Sequence, residues 1–223
     1  MISKLLLAID TCGPTGSVAL GRLSGQALEV LGQIELEGRS YSATLVAAVG
    51  ELLADAGMQL GQLNAIVAVN GPGSFTGVRV GLAAVKGLAE PARIPVVAVS
   101  RLEVLASKAG VSSAALDAHR HEVFLRLDGA GEQARELLAG AHELAAVDSP
   151  PVRIALCDEA AARLIGAAWL GTELANTAAP TAGDALRLCA PRAAAGEFTD
   201  LVLLDGHYLR RSDAEIFGEA ERV

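Results

Sequence analysis

Ala65-Ile66-Val67-Ala68-Val69, followed by Asn70-Gly71-Pro72-Gly73-Ser74-Phe75-Thr76-Gly77-Val78-Arg79-Val80-Gly81-Leu82, is the stretch that decides the fold. Five consecutive apolar residues, rich in β-branched side chains, predict a strand buried on both faces, as when helices cover both sides of a parallel sheet. The glycine-rich loop ends that strand, and a helix is predicted from about Gly77 to Ala89, stopped near Pro91. Along that helix Gly77, Gly81, Ala84 and Gly87 leave one stripe nearly bare, so that another helix or a sheet can come close. A strand-to-helix turn of this kind also exposes backbone N–H groups at a helix N-terminus, which is a general anion site. Two nucleotide signatures are nevertheless missing. No Lys-Ser or Lys-Thr follows the glycines, as a P-loop requires, and Gly71, Gly73 and Gly77 space as G-x-G-x-x-x-G rather than as the dinucleotide fingerprint. The same glycines equally suit positive φ and close helix-on-sheet approach.

Before this stretch, Leu5 to Ile9 and Ser17 to Leu20 read as strands of a hairpin turned at Gly13-Pro14. A third strand is predicted within Ala27 to Leu36, where alternation is imperfect around Gly32. From Tyr41 to Gly57, Leu45, Val49, Leu52, Leu53 and Ala56 recur at helical spacing, with Ser40 or Ser42 as N-cap. After it, Pro95 to Val99 forms the next buried strand, and Ser100 with Glu103 reads as a capping box for the helix through Leu105. The second half echoes the first: Ala115-Leu116-Asp117-Ala118 and Val123-Phe124-Leu125 match Ala8-Ile9-Asp10-Thr11 and Val18-Ala19-Leu20 in kind. This predicts a duplicated unit, with lobes at 1–108 and 109–223. Val152 to Leu156 reads as a strand, Ala182 to Leu188 as a helix broken at Pro191, and Val202-Leu203-Leu204 as the strand that closes the sheet.

The 223 residues are 52% hydrophobic and 20% charged, with mean hydropathy +0.40, which excludes a disordered chain. No membrane span is expected: the charge-free stretch Ala56 to Val78 is interrupted by Gly57, Gln59, Gly61, Gln62, Asn64, Asn70, Gly71, Pro72 and Gly73. Leu5 to Ile9 is too short for a secretory signal, so the expected location is the cytoplasm. A formal charge of −8 and a pI near 5.0 leave the chain without general attraction to phosphate, so any RNA is expected to be held by another subunit. Arg210 and Arg211 form one small basic cluster, read as a solvated end. Cys12, Cys157 and Cys189 are far apart and read as reduced thiols, not metal ligands. His119 and His121 would share a face on a strand, but no third ligand accompanies them. Ser74 lacks the flanking glycines of a nucleophile elbow. Asp10 and Asp117 each end an apolar strand, where a carboxylate can hold a hydrated magnesium ion or simply serve a turn.

Taken together, Leu7-Ala8-Ile9-Asp10-Thr11, Ser17-Val18-Ala19-Leu20, Gly71 to Leu82, Lys86-Gly87-Leu88-Ala89, Val97-Ala98-Val99-Ser100, Asp117 and Tyr208-Leu209-Arg210 resemble the TsaB (YeaZ-like) family. The resemblance implies an α/β, actin-like fold (ASKHA, ribonuclease H-like) with two related lobes. It further implies a non-catalytic subunit that works beside a catalytic paralogue, TsaD, and an ATPase, TsaE, in attaching threonylcarbamoyl to tRNA, with tRNA reached only through the complex. A homodimer is expected when the chain is alone. Where the catalytic paralogue carries a His-x-x-x-His metal pair, Arg101 and Leu105 stand here, and neither can replace a neutral imidazole. The implied partner interface is a helix bundle carrying Leu45, Val49, Leu52, Gly77, Val78, Gly81, Leu82 and Ala84. Asp10, Thr11, Gly71, Gly73, Ser74 and Thr76 form the candidate nucleotide or anion loop, with no cofactor expected on the isolated chain and ATP or ADP with magnesium only at the assembled complex. Tyr41 departs from the family, which often has histidine there. The rival expectation is an actin-like, ATP-dependent phosphotransferase or ATPase using Asp10 and Asp117.

Overall fold

A computed structural model describes residues 3–129 and 132–210. The N-terminal strands β1 (Lys4–Asp10), β2 (Thr15–Ser24) and β3 (Ala27–Glu37) run as an antiparallel meander. The imperfect alternation near Gly32 has a plain cause: Leu20 pairs with Gly32 but Gly21 pairs with Val30, so Leu31 is an extra residue that shifts the pleat. Helix α1 (Tyr41–Asp55) leads to β4 (Ala65–Val69), which is parallel to β1 and fully buried, as its apolar run requires. Helix α2 (Phe75–Ala92) follows, and β5 (Val96–Val99) pairs parallel with β4. The strand order is β3-β2-β1-β4-β5.

The second half repeats this plan. After α3 (Arg101–Lys108), the strands β6 (Ala114–Asp117), β7 (Val123–Gly129) and β8 (Glu132–Ala139) form a second antiparallel meander. Then come α4 (Ala141–Ala145), β9 (Arg153–Leu156), α5 (Glu159–Ala168) and β10 (Glu173–Asn176), with β9 parallel to both β6 and β10. The order, β8-β7-β6-β9-β10, is that of the first sheet element for element, so the duplicated unit read in the sequence is present in the topology.

Three expectations are corrected. Helix α6 (Ala182–Ala195) runs straight through Pro191, because Ala182, Ala185, Leu186, Cys189 and Ala193 bury one face of it, which outweighs the ~3 kcal/mol of an interior proline. That helix packs on β1 and β2, in the core of the first sheet. Val202 and Leu203 lie in an exposed turn, and the edge of β5 is met instead by Thr199, whose N–H donates to the Val96 carbonyl at 2.8 Å and whose Oγ1 accepts from Ala98 N at 3.0 Å. Helix α2 is also longer than the sequence suggests, ending past Pro91 at Ala92, where Arg93 follows with a left-handed φ of 53°.

The bare stripe of α2 explains how closely that helix meets the end of β1. A Cβ at Gly77 would lie 2.1 Å from the Thr11 carbonyl oxygen, and one at Gly81 2.2 Å from Thr11 Oγ1. Gly87 faces open space. Gly77→Ala is expected to lower the free energy of unfolding by about 1–3 kcal/mol through overpacking, whereas Gly87→Ala should raise it by roughly 0.5–1 kcal/mol through helix propensity. Urea titration followed by circular dichroism reads both, and equal effects would contradict the assigned contact.

Candidate functional site

The ends of β1 and β6 face a cleft of about 910 Å³ between the two sheets. On the β1 side the charge is answered from within. Asp10 is 1% exposed, its Oδ1 accepts the Cys12 N–H at 2.8 Å, and its Oδ2 lies 3.4 Å from Arg101 Nε. Arg101 reaches it because it opens α3: Ser100 Oγ accepts the Leu102 N–H, and the Arg101 N–H donates to the Gly71 carbonyl at 2.6 Å. Ser100 therefore caps α3 alone, without the return bond from Glu103 that a capping box needs. Burial by itself would lower the Arg101 pKa, but the Asp10 carboxylate overcomes it and the net shift is upward. The guanidinium stays charged. Cys12 and Cys157, both on the cleft wall, are pushed up by burial first, which leaves them weak nucleophiles.

On the β6 side, Asp117 Oδ1 accepts the His119 N–H at 2.8 Å, and its Oδ2 is 3.0 Å from His119 Nδ1. Asp158 caps α5 through Oδ1 and takes the Asp117 N–H on Oδ2. His119 and His121 share no strand face: with Arg120 they form a turn in which all three residues have φ between 56° and 61°. Such a run is strained for residues with a Cβ.

The glycine-rich loop is stitched to the β1–β2 turn. Ser74 N–H donates to the Cys12 carbonyl at 2.7 Å, Gly77 N–H donates to Ser74 Oγ, and Thr11 Oγ1 donates to the Gly77 carbonyl at 2.7 Å. Gly73 leaves room for the Cys12 carbonyl, which a Cβ would approach to 2.2 Å, while Gly71 needs its φ of 115°. Thr76 points to solvent. Tyr41 opens α1 with no capping bond from Ser40. It is buried, and its hydroxyl donates to the Gly13 carbonyl at 2.8 Å. Burial, then the neighbouring Asp10, pushes its pKa up to about 12.

Sequence reasoning missed the segment that closes the cleft. His207 N–H donates to the Asn70 carbonyl at 2.7 Å, and Asn70 Nδ2 donates to the Asp205 carbonyl. The Tyr208 ring packs 5.1 Å from that of Phe75, under Arg79, whose guanidinium sits 3.6 Å from the Phe75 centroid. Arg210 then crosses to the other sheet, donating to the Ala118 carbonyl at 2.5 Å and pairing with Glu122, so it is not a solvated end. Arg211 lies outside the described residues. Under this strap sits Glu136, which accepts from Ser100 Oγ and from Arg126 Nη1, each at 2.7 Å. His207 Nε2 is 2.9 Å from Glu136 Oε2, within ion-pair distance but out of line for a hydrogen bond. The resemblance marks Tyr208-Leu209-Arg210 but not what they touch, and the pairing of Arg126 with Glu136 appears only once β7 and β8 are paired.

The residues read as a partner interface are placed elsewhere. Leu45, Val49, Leu52, Gly77, Val78, Gly81 and Leu82 are buried in the chain's own core and Ala84 is half-buried, because helical periodicity marks the face that packs on the sheet.

Residues 31–148 match the family described as TsaD: tRNA N6-adenosine threonylcarbamoyltransferase. With two mixed sheets of the same strand order around a cleft, this defines an α/β protein of the actin-like class. The tRNA threonylcarbamoyladenosine biosynthesis protein TsaB of Haemophilus influenzae is 38% identical over 130 residues, which cover 56% of this chain and 53% of that protein. The protein of the same name from Bacillus subtilis is 38% identical over 126 residues, 55% of this chain and 54% of that protein. A Pseudomonas aeruginosa crystal structure, described as an uncharacterized protein with similarity to peptidase YEAZ, superposes with a TM-score of 0.70 at 30% identity, covering 93% of this chain and 100% of the other. The chain belongs to the TsaB (YeaZ-like) family. Its alignment spans about half the length of the curated relatives it matches.

Two measurements check the site's electrostatics. Asp10→Asn and Arg101→Leu should each cost about 3–5 kcal/mol, since either leaves a buried polar or charged group unanswered, and the double variant should cost less than their sum. Additive effects in chemical denaturation would remove the pair from its assigned role. Glu136 concerns pH. Burial alone would raise its carboxyl, but contacts with His207, Ser100 and Arg126 overcome it and hold the pKa below the ordinary 4.5. A depressed folded-state pKa gives stability that is fully present above 4.5 and lost as pH falls below it toward the folded value. Glu136→Gln should therefore be less stable than the parent at neutral pH and show a shallower loss of melting temperature on acidification below that value. Parallel curves would contradict this.

Proposed function

We propose that the chain is a non-catalytic subunit in the formation of threonylcarbamoyladenosine on tRNA, pairing with the catalytic paralogue TsaD and acting with the ATPase TsaE. It forms a homodimer through the same surface when alone, and ATP or ADP with magnesium belongs to the assembled complex. The relatives' printed names supply the pathway. The observation that carries the pairing is the outer face of α1 and α2, two helices that touch along the same side of the first sheet. Opposite the core-facing leucines and valines, α1 exposes Ala43, Val46, Ala47, Gly50 and Ala54, and α2 exposes Ala83 and Gly87 beside the half-buried Val80 and Ala84. Val46 is 59% exposed at the centre of this surface. Small side chains at helical spacing let a partner's helices come close, and one exposed branched residue among them is a natural anchor.

The non-catalytic part of the reading rests on Arg101 and Leu105. An arginine that stays protonated and a leucine with no donor atom stand where the catalytic paralogue would place its metal-binding histidines. The Arg101 contact also occupies Asp10, the carboxylate that the rival phosphotransferase would need for magnesium. The formal charge of −8 fits a subunit that leaves tRNA to its partners.

Val46→Glu and Ala47→Glu should weaken pairing with the paralogue by at least about tenfold, because an unpaired carboxylate would be buried at the contact. The unfolding midpoint should stay within a few degrees of the parent, since both residues are exposed in the free chain. Light scattering of the mixed proteins reads the first and thermal denaturation the second. Undiminished complex formation by both variants would place the partner surface elsewhere.

A further inference from the structure

We propose that the cleft between the two sheets binds a singly charged organic carboxylate with an apolar body, and that Arg101 holds its carboxylate group. The side chain of Arg101 is only 7% exposed, yet its guanidinium carries five N–H donors and only Nε meets an acceptor, Asp10 Oδ2 at 3.4 Å. Neither terminal nitrogen makes a hydrogen bond among the described residues, and Arg101 lines the cleft. The terminal nitrogens open onto the cleft, so a ligand there can accept from them in place of water. A carboxylate does so with two parallel bonds, the geometry a guanidinium end favours. Gly13 keeps the approach clear, since a Cβ there would lie 2.3 Å from Arg101 Nη2. Helix α2, 18 residues long, begins at the same cleft with Ser74 and Phe75, so its positive end also favours an anion.

Charge and lining set the class of ligand. Asp10 already matches the charge of Arg101, Asp117 is engaged by His119, and Asp158 caps α5. A monoanion adds one charge to a nearly neutral site that still has free donors. A nucleoside triphosphate would bring about four charges and a magnesium ion, whereas both strand-end carboxylates that could hold the metal are occupied by side chains. Beyond Arg101 the walls are Pro72 and Phe75 on one side and Leu116, Phe124 and Leu209 on the other, which suits an aliphatic or aromatic body. This surface is separate from the outer face of α1 and α2, so a Val46→Glu chain keeps the cleft, and the two readings can fail independently.

The probes are 4-phenylbutyrate, its neutral amide and ATP with magnesium, added to the full chain and followed by titration calorimetry and ligand-observed NMR. The acid should bind, with the amide weaker by about tenfold or more, and ATP with magnesium should not displace it. Arg101→Lys keeps a positive charge beside Asp10 but removes the paired terminal donors, and Gly13→Ala would place a methyl 2.3 Å from Nη2, so that the guanidinium end has to give way. Each should weaken the acid by about tenfold with an unchanged far-ultraviolet spectrum. The proposal is overturned by equal binding of acid and amide, by no acid binding at millimolar concentration, by full affinity in a folded Arg101→Lys or Gly13→Ala chain, or by displacement with ATP and magnesium.

Discussion

Asp10 sits at the end of the central strand of the first sheet with 1% of its surface exposed, and a carboxylate in that position has to be answered by a cation. Here the answer is Arg101, delivered by the first turn of α3, the helix that leads into the second sheet. One consequence is local, because the guanidinium occupies the Asp10 carboxylate oxygen that faces it. Another is architectural: the pair fixes the start of α3 against the β1 end, and the Arg101 N–H binds the glycine-rich loop at Gly71. Strand end, loop and inter-sheet helix thus meet at a single buried contact. Replacing either partner alone disturbs all three.

The rest of the chain reinforces that meeting point from both sides. Helix α6 leaves the second sheet and returns to the core of the first, with Ala182 N–H donating to Ser17 Oγ and Lys108 binding Asp184. The strap of residues 205–210 runs in parallel, from Asn70 and Phe75 to Ala118 and Glu122, and Glu136 supports it from below. Two sheets of one topology are therefore held by three separate sequence segments. Here they hold the first sheet and the second together at both ends of the cleft.

The sequence carried the fold further than the site. Alternation and apolar runs placed β1, β2, β4 and β5, and the period of Leu45, Val49 and Leu52 placed α1, because each of these patterns records burial against a neighbour that is close in the fold. The same pattern, read as a partner surface, falls on residues that this chain buries itself. A periodic stripe of large apolar residues marks what the helix buries in its own chain, and the exposed complement of alanines, glycines and one valine, the surface proposed for a partner, is not flagged by periodicity. Pro191 and Val202 failed for a related reason: local breaker and strand propensities were overruled by the packing of α6 and by Thr199 taking the edge of β5. Arg101 could be read as unfit to bind a metal, but its reach to Asp10 spans 91 residues and is set by the fold alone.

The proposed role makes this chain necessary for a modification whose chemistry belongs to its partner. The most direct measurement is tRNA modification by the candidate catalytic paralogue and its ATPase from the same organism, quantified by mass spectrometry of the released nucleosides, with this chain present and omitted. The account predicts modification that depends on the chain and is retained when Asp10→Asn is supplied in folded form. Equal modification without the chain, or loss of modification with a folded and pairing-competent Asp10→Asn chain, would contradict it.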